Sequence, residues 1–345
     1  MPTAVVTLGR VPRRALAASR RRPPSPAAAL SLTLPYRPPL DAGALLAFLR
    51  ERAIPGVERV EDGVYRRTHG WEGGTALVEV RPVAGAAEAR LEVAPRSPAA
   101  DLVPRARRLL DLDADPAAIA SALAADPALR ASVRARPGLR VPGAWDGFEL
   151  AVRAILGQQI SVQAATALSG RLVQLCGQPL PAPAGGLTHL FPTPAALAAL
   201  DPGRLPVPRA RAAALIALAR AVARGEVDLR GRAGGLEASV AALRQLPGIG
   251  PWTAHYVAMR ALGERDAFPS GDLGIRRALG AGGKAATEAE ALERAERWRP
   301  WRAYAAMHLW AGLAAGRAKA AAGPGRAARR ARPVAAAGHG RRRPR

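Results

Sequence analysis

Hydrophobic and polar positions follow two different periods along this chain, and the change comes near Asp101. Before it, alternating apolar and polar residues indicate strands. These strands are predicted at residues 30–34, 57–65, 76–80 and 90–93. Asp41 is placed to cap a helix that runs to about Arg52, and turns such as residues 70–74 contain glycine. The pattern predicts an α+β unit with one helix against an antiparallel sheet.

After Asp101 the alternation gives way to apolar residues at three- and four-residue spacing, which is typical of helices. The clearest helical segments are residues 104–112, 117–124 and 148–156. Loops are predicted where glycine and proline cluster, at residues 177–186, 202–208 and 231–235. The pattern therefore predicts only helices and loops between Asp101 and about Gly316.

The two ends of the chain are rich in Arg, Pro, Gly and Ala and show no such period. We interpret residues 1–30 as a basic, disordered extension and residues 316–345 as a disordered, arginine-rich tail. Between them we predict an α+β domain at residues 31–105 and helical domains at residues 106–315. The predicted fold class is an α+β N-terminal domain, an antiparallel sheet with a helix, followed by mostly α-helical domains.

Charge and cysteine content change this picture little. The formal net charge of +24 is of the kind that attracts nucleic acids or anionic membranes, but much of it lies in the two ends. No apolar run approaches the roughly 20 residues that a membrane helix needs, so no membrane partner is predicted. The single cysteine, Cys176, excludes an intrachain disulfide and a four-cysteine zinc or iron–sulfur site. A reducing, cytoplasmic location fits this composition.

One short motif is more informative than the composition. The sequence Leu-Pro-Gly-Ile-Gly at residues 246–250 lies between two apolar-periodic runs, so two helices would be joined by a hairpin containing Gly248 and Gly250. The second helix then begins with unsatisfied backbone N–H groups, and glycine lets a phosphate approach them. Such an arrangement is a helix-hairpin-helix motif, which contacts the DNA backbone without reading the base sequence. An ordinary glycine-containing helix connection explains the motif alone equally well.

Asp272 lies 20 residues after Trp252, at the predicted start of another helix. Taken alone, an aspartate in this position is most often an N-cap. Trp252 and Tyr256 are four residues apart and share a helix face, as core aromatics commonly do. Aromatic residues make up only 4% of the chain, however, and a pair directly behind the hairpin also suits a pocket that stacks on an everted base. The pattern alone leaves both interpretations open.

Four segments together resemble the DNA-3-methyladenine glycosylase II family, the AlkA-type branch of the helix-hairpin-helix glycosylases. The segment LPGIGPWTAHYVAMRAL with DAFPSGDLGIRRALG is similar to the family's hairpin and catalytic-aspartate segment. Residues 34–53 resemble its N-terminal domain, residues 137–165 the start of its central helical domain, and residues 299–310 its last helix. The resemblance covers about residues 30–315.

The resemblance also implies an internal arrangement of the helical region. A helix-hairpin-helix at residues 246–251 would lie within a central helical part at about residues 145–264. A second helical part would combine about residues 106–144 with residues 265–315. The active site is expected in the cleft between the domains.

Individual roles follow from the same resemblance. Asp272 is implied to be the catalytic carboxylate, which would stabilise positive charge on the sugar and guide water as the N-glycosidic bond breaks. Bifunctional relatives carry lysine where Trp252 stands, so no Schiff base and no lyase step are expected. The aromatic residues implied to hold the flipped base are Trp252, Tyr256, Trp310 and Phe48.

DNA contacts are implied at several positions. The residues concerned are Gly248, Gly250, Gln159, Ile160 and Arg276. Either Gln159 or Ile160 would fill the gap left by the base, although a polar helix end explains this segment equally well. Arg276 would contact a phosphate, although arginines on a helix are more often simply solvated. The carbonyls of Leu246 and Ile249 would hold a monovalent cation, as a structural site.

The predicted function is that of a monofunctional DNA glycosylase in base excision repair. It would flip alkylated purines such as 3-methyladenine out of double-stranded DNA, as a monomer and without a cofactor. One alternative is a mismatch or oxidised-base glycosylase of the same superfamily, many of which use a four-cysteine cluster that one cysteine cannot build. The other is a non-catalytic helix-hairpin-helix DNA-binding protein, in which Asp272 and the aromatic pair have no role.

Overall fold

The computed structural model of the protein describes residues 30–93, 99–230 and 234–322, with side chains as far as residue 315. Residues 1–29 of the predicted extension, residues 231–233 of the third predicted loop and residues 323–345 of the predicted tail lie outside the described residues. Within the described residues an antiparallel sheet comes first and helices form most of the rest. The predicted fold class is confirmed.

The N-terminal unit is a five-stranded antiparallel sheet. Its strands are β1 (Leu30–Pro35), β2 (Glu58–Glu61), β3 (Val64–Trp71), β4 (Gly74–Pro82) and β5 (Glu88–Val93). Their order in the sheet is β1-β5-β4-β3-β2. Alternate residues such as Val78 and Val80 pack against helix α1 (Ala42–Arg52), whose first turn is capped by the Asp41 side chain. Helix α2 (Ala99–Leu109) packs on the same core, so two helices cover it instead of the predicted one.

The predicted strand at residues 57–65 is wrong, because two strands occupy this region and beyond. Asp62 and Gly63, with φ of 51° and 74°, form a tight turn between β2 and β3. β3 then continues through Trp71, past the start of the predicted turn at residue 70. Apolar alternation runs through the Asp-Gly pair without a break, but that pair is itself a strong hairpin signal. Turn chemistry therefore outweighs periodicity at this point.

Helices form most of the remaining described chain. They are α3 (Pro116–Ala124), α4 (Pro127–Ala135), α5 (Gly147–Leu156), α6 (Val162–Cys176), α7 (Pro194–Ala198), α8 (Arg209–Ala223), α9 (Gly235–Arg244), α10 (Pro251–Arg260), α11 (Leu273–Leu279), α12 (Glu288–Ala295) and α13 (Arg302–Ala322). Short 3-10 turns lie at Pro202–Arg204 and Glu296–Trp298. One apolar core is built mainly from α5, α8 and α10, and the other from α13 with α3, α4 and α12.

A small β-hairpin interrupts the helices where a loop was predicted. It pairs β6 (Pro179–Ala184) with β7 (Leu187–His189), and the Gly56 carbonyl accepts the N–H groups of Thr188 and His189 at 2.8 and 3.1 Å. The alternate prolines of β6 conceal the strand pattern, because proline removes a ladder donor and is tolerated mainly at edges. The hairpin docks the helical region onto the N-terminal unit.

The predicted end of order at Gly316 is also wrong, because α13 continues to Ala322. Its last turns are rich in alanine, which favours helix without any apolar period. No helix in the described part of the chain is long and apolar enough to cross a lipid bilayer.

A buried ion pair joins the sheet to the helical region. The Arg67 guanidinium on β3 donates to both carboxylate oxygens of Glu149 on α5, at 2.7 and 3.1 Å. Arg67 is only 2% exposed, and the Glu58 Oε1 lies 3.6 Å from its Nη1, which also bonds Glu149. Burial raises the pKa of Glu149 to about 7, against the opposing effect of Arg67. This pair fixes the N-terminus of α5, whose other end reaches the cavity described next.

Candidate functional site

A cavity of about 620 Å³ lies where the N-terminal unit meets both helical cores. Its volume is in the range of sites that take a small molecule or a single base. Helices α1, α5, α10 and α13 form its walls, together with the segment before α6 and the start of α11. Residues named in the sequence analysis that line it are Phe48, Ile160, Trp252, Tyr256, Asp272 and Trp310.

Asp272 is the N-cap of α11 and also the carboxylate of this cavity. Its Oδ1 accepts the backbone N–H of Ile275 and the indole N–H of Trp310, each at 2.9 Å. Its Oδ2 accepts the indole N–H of Trp252 at 3.1 Å. Three donors from α10, α11 and α13 thus fix the plane of the carboxylate. Asp272 therefore caps α11 and lines the cavity at the same time.

Three aromatic rings stand beside this carboxylate. Trp252 and Tyr256 stack face to face, with ring centroids 5.2 Å apart and an interplanar angle of 10°. Trp310 meets Tyr256 edge-on, with centroids 6.5 Å apart. Helix α10 begins at Pro251, and Trp252 and Tyr256 are one turn apart on it. Their side chains therefore lie on the same face of the helix. Trp252, Tyr256 and Trp310, which the sequence analysis assigned to one pocket, therefore line the same cavity.

Phe48 lines the same cavity but is already in contact with two cations. The Arg52 guanidinium lies 3.6 Å from its ring centroid, and that of Arg260 lies 4.7 Å away. Arg260 also donates to the Tyr256 phenol at 2.8 Å. Phe48 therefore holds arginine side chains at one wall of the cavity.

The hairpin before α10 has the geometry expected of a backbone grip. Gly248 has φ of +77°, and a Cβ there would lie 2.7 Å from the Ala214 Cβ. Gly250 is extended and faces open space, with no atom within 4 Å of a Cβ built on it. Gly250 is the N-cap of α10 and, as a glycine, provides no side-chain cap to this helix. The backbone N–H groups at the start of α10 thus have no partner within the helix, beside open space at Gly250.

The segment between α5 and α6 faces the hairpin. Gln159 is exposed with φ of +60°, and Ile160 is 37% exposed at the cavity rim. Gln158, which sequence reasoning did not single out, donates from Nε2 to the Gly248 carbonyl at 2.9 Å and to Thr253 Oγ1 at 3.0 Å. Its amide therefore ties this segment to the hairpin. The adjacent glutamine pair was the only signal in the sequence.

Three further predicted residues, Arg276, Leu246 and Ile249, lie outside the cavity. Arg276 on α11 donates from Nε to the Ala286 carbonyl at 2.7 Å, which holds it against the chain before α12. The Leu246 carbonyl accepts the Ile249 N–H at 3.2 Å, and a carbonyl has a second lone pair. Neutral backbone oxygens of this kind suit a monovalent cation as a structural ligand. Among the described residues, no cluster of His, Cys, Asp or Glu could hold a metal ion.

A second cavity of about 600 Å³ lies at the opposite end of α5. Two of its three acidic residues are engaged, since Asp146 pairs with Arg105 at 3.2 Å and Glu149 with Arg67 at 2.7 Å. The third, Glu72, is exposed in the turn between β3 and β4. The carboxylate of Asp272 accepts only neutral N–H donors and borders its cavity. The cavity of Asp272 is therefore the candidate functional site.

Sequence models of two known protein domains match most of the chain. The AlkA N-terminal domain matches residues 31–146. The HhH-GPD superfamily base excision DNA repair protein matches residues 152–303. The second match includes the hairpin, Asp272 and the aromatic pair.

Two named proteins are similar to this chain in sequence. A protein of Mycobacterium tuberculosis called a probable bifunctional transcriptional activator/DNA repair enzyme AlkA is 44% identical over 83% of this chain, which spans 58% of that relative's length. DNA-3-methyladenine glycosylase 2 of Escherichia coli is 38% identical, over 81% of this chain and 96% of its own.

Solved structures share this fold. The 3-methyladenine DNA glycosylase of Archaeoglobus fulgidus aligns with a TM-score of 0.68 and 25% identity, over 81% of this chain and 96% of its own. MBOgg1, solved in complex with a low-affinity DNA ligand, aligns with a TM-score of 0.62 at 20% identity, which shows the fold alone.

Proposed function

Because the chain belongs to the AlkA-type branch of the HhH-GPD superfamily of base excision DNA repair proteins, we propose that it is a DNA glycosylase that excises alkylated purines such as 3-methyladenine. The domains in this proposal are residues 31–105 and residues 106–315. Its central helical part covers about residues 145–264, and its second helical part combines about residues 106–144 with 265–315. Double-stranded DNA is the partner, the protein acts as a monomer in the cytoplasm, and no cofactor takes part.

One observation supports this proposal above all others. The Asp272 carboxylate, fixed by two indole N–H groups, borders a cavity whose aromatic rings could hold a single base. A base inside a duplex cannot reach such a carboxylate, so the nucleotide would have to be everted. A protein that only bound the DNA backbone would need neither the carboxylate nor the cavity.

The chemistry follows from the charge that develops on the sugar. As the bond from C1′ to the base nitrogen breaks, its electron pair leaves with the base and positive charge grows on the sugar ring. The Asp272 carboxylate stabilises that charge, and water then forms the new bond to C1′ and gives up a proton. A cationic alkylpurine departs as a neutral base, so it needs little help from an acid.

The absence of a lysine from the cavity leads us to propose a monofunctional enzyme. Trp252 stands where a Schiff-base lysine would be required, and its indole is engaged by Asp272. No lysine is among the described residues that line the cavity. The carbonyls of Leu246 and Ile249 are proposed to hold a monovalent cation that stiffens the hairpin, with no part in the reaction.

We expect the purified chain to release free 3-methyladenine from methylated duplex DNA and to leave abasic sites. Released base would be measured by chromatography, and strand breaks on denaturing gels with and without alkali. The strands should stay intact until alkali is added, because no amine is available to attack the sugar. Breaks before alkali would contradict the monofunctional proposal, and DNA binding without base release would favour the non-catalytic alternative.

We propose that the hairpin binds a phosphate through its backbone N–H groups. A substitution of Gly250 tests this contact. A Gly250→Val side chain enters open space in the free protein but would obstruct a phosphate that approaches the N–H groups. We expect thermal stability to change little while affinity for duplex DNA falls about tenfold, or about 1.4 kcal/mol. Fluorescence anisotropy at fixed salt would measure the affinity.

Gly248→Ala provides the matched contrast. Its φ of +77° and the 2.7 Å approach to Ala214 mean that a Cβ strains the hairpin itself. Thermal stability should therefore fall together with affinity. Equal behaviour of the two variants in both measurements would contradict the proposed phosphate grip.

A further inference from the structure

The segment between α5 and α6 has a shape that its own residues do not favour. Gln159 has φ of +60°, in the left-handed region that strains residues other than glycine. It is exposed, and Ile160 after it is 37% exposed at the cavity rim. A strained conformation persists only where the surrounding structure holds it. Contacts from other elements therefore decide the shape of this segment.

Arg211 on α8 supplies one of these contacts. Its Nη2 donates to the Gln158 carbonyl at 2.8 Å, directly before the strained residue. A hydrogen bond from a charged guanidinium is stronger than one between two neutral groups. The side-chain amide of Gln158 in turn donates to the Gly248 carbonyl and to Thr253 Oγ1. The backbone of Gln158 is thus held by α8, and its side chain by the hairpin and α10.

No other partner explains the position of Arg211. No ion pair in the part of the chain that the structure describes involves this half-buried arginine, and the Gln158 carbonyl is its one hydrogen-bond acceptor there. Helix α8 also packs on the hairpin, since Ala214, one turn after Arg211, has its Cβ 2.7 Å from a Cβ built on Gly248. The guanidinium therefore links the helix behind the hairpin to the segment that carries Ile160.

A segment held in this way lowers the cost of everting a nucleotide. The base leaves the duplex at the cost of its pairing and stacking, and a side chain that enters the gap offsets part of that cost. A segment already in its bound shape loses less conformational entropy on insertion than a mobile one. Without the Arg211 contact the backbone at Gln158 and Gln159 would be freer, so insertion would cost more, while Asp272 would keep its place.

Resting on the proposed function, we infer that Arg211 is a positioning residue, which holds the segment of Gln159 and Ile160 in the shape that enters the base stack. It acts through the Gln158 carbonyl and touches neither the base nor the sugar. Its removal should therefore impair eversion of the nucleotide and spare cleavage of the glycosidic bond.

The test compares two duplexes with the same 7-methylguanine, opposite cytosine in one and opposite an abasic-site analogue in the other. Pairing opposes eversion only in the first duplex, so a defect in eversion is largest there. We expect Arg211→Met to lower the single-turnover rate at saturating enzyme about tenfold on the paired lesion and less than about threefold on the unpaired one. The ratio of the two rates does not depend on the fraction of folded protein.

A spectroscopic measurement reports eversion without cleavage. A fluorescent 2-aminopurine beside the paired lesion brightens when the stack opens, and it should brighten less with Arg211→Met than with the parent protein. Arg211→Lys keeps the charge and can still donate one hydrogen bond to the Gln158 carbonyl. This variant should recover part of the lost rate on the paired lesion and part of the fluorescence.

Arg220 provides the matched control, because it is an exposed arginine on the same helix, nine residues further along. Arg220→Met removes the same charge, and both rates should change less than about twofold. Equal losses on both duplexes in Arg211→Met, or no loss on the paired lesion, would overturn the inference. So would a weaker salt dependence of DNA binding in Arg211→Met than in Arg220→Met, because Arg211 would then be a phosphate contact. A parent protein that releases 7-methylguanine from neither duplex would instead overturn the proposed function.

Discussion

Replacement of Asp272 by asparagine is expected to lower the single-turnover rate of base release at least about 10³-fold. The variant keeps the shape of the side chain but loses the negative charge that opposes positive charge on the sugar. Affinity for duplex DNA should change little, because the proposed grip lies in the hairpin. Release of 3-methyladenine at saturating enzyme, with anisotropy for binding, would separate the two effects.

The same substitution has a structural cost that must be measured. An asparagine oxygen in the place of Oδ1 can still accept the N–H groups of Ile275 and Trp310. The NH₂ group in the place of Oδ2 cannot accept from an indole, so Trp252 loses its partner. We expect a stability loss of about 1–2 kcal/mol in urea unfolding. A variant that is folded and releases base within tenfold of the parent rate would refute the role of Asp272.

Removal of the Arg67 guanidinium is expected to be the most destabilising single change. In Arg67→Met, Glu149 loses both of its hydrogen bonds and remains buried between sheet and helices. Breaking a buried pair from one side costs about 3–5 kcal/mol, which urea unfolding at neutral pH would measure. The double variant Arg67→Met with Glu149→Leu should recover part of the loss, because no lone charge is left behind.

The stability of the Arg67→Met variant should also depend on pH, and the direction of that dependence follows from the pKa of Glu149. The pKa of Glu149 is already raised to about 7 in the folded protein, and without Arg67 the folded state would hold this proton still more strongly. The folded variant then binds more protons than the unfolded chain above the ordinary carboxyl pKa, so its stability falls as pH rises from about 5 to 8.

An exposed ion pair serves as the control for Arg67. Arg224 and Glu226 lie 2.6 Å apart with more than half of each side chain exposed. Arg224→Met should change stability by less than about 1 kcal/mol at any pH in this range. An Arg67→Met variant that behaved like Arg224→Met would show that the buried pair does not join the two units.

Local signals account for what could be predicted from the sequence. The hairpin glycines, the spacing from Trp252 to Asp272 and the helical spacing of Trp252 and Tyr256 each follow from short-range chemistry. The structure brings Trp252, Tyr256 and Asp272 to one cavity, with the hairpin directly before α10, while their roles stay predictions. Asp62-Gly63 shows the opposite case, since a turn signal was present and apolar alternation concealed it.

The arginines at the cavity wall and behind Tyr256 could not have been predicted in this way. Arg52, Arg153 and Arg260 lie on three helices that are far apart in the sequence, among 51 Lys and Arg residues that are mostly exposed or terminal. Nothing local distinguishes a guanidinium that packs on an aromatic ring from one in solvent. Their place depends on how the N-terminal unit docks, which is a property of the tertiary fold.

The amide of Gln158 joins the two segments proposed to touch DNA, and this has a mechanical consequence. Because one side chain bonds both the hairpin carbonyl and the first turn of α10, the rim residue Ile160 and the hairpin amides cannot move independently. The protein therefore fixes the distance between two proposed DNA contacts. One is the insertion of Ile160 into the base stack, and the other is the phosphate bound by the hairpin.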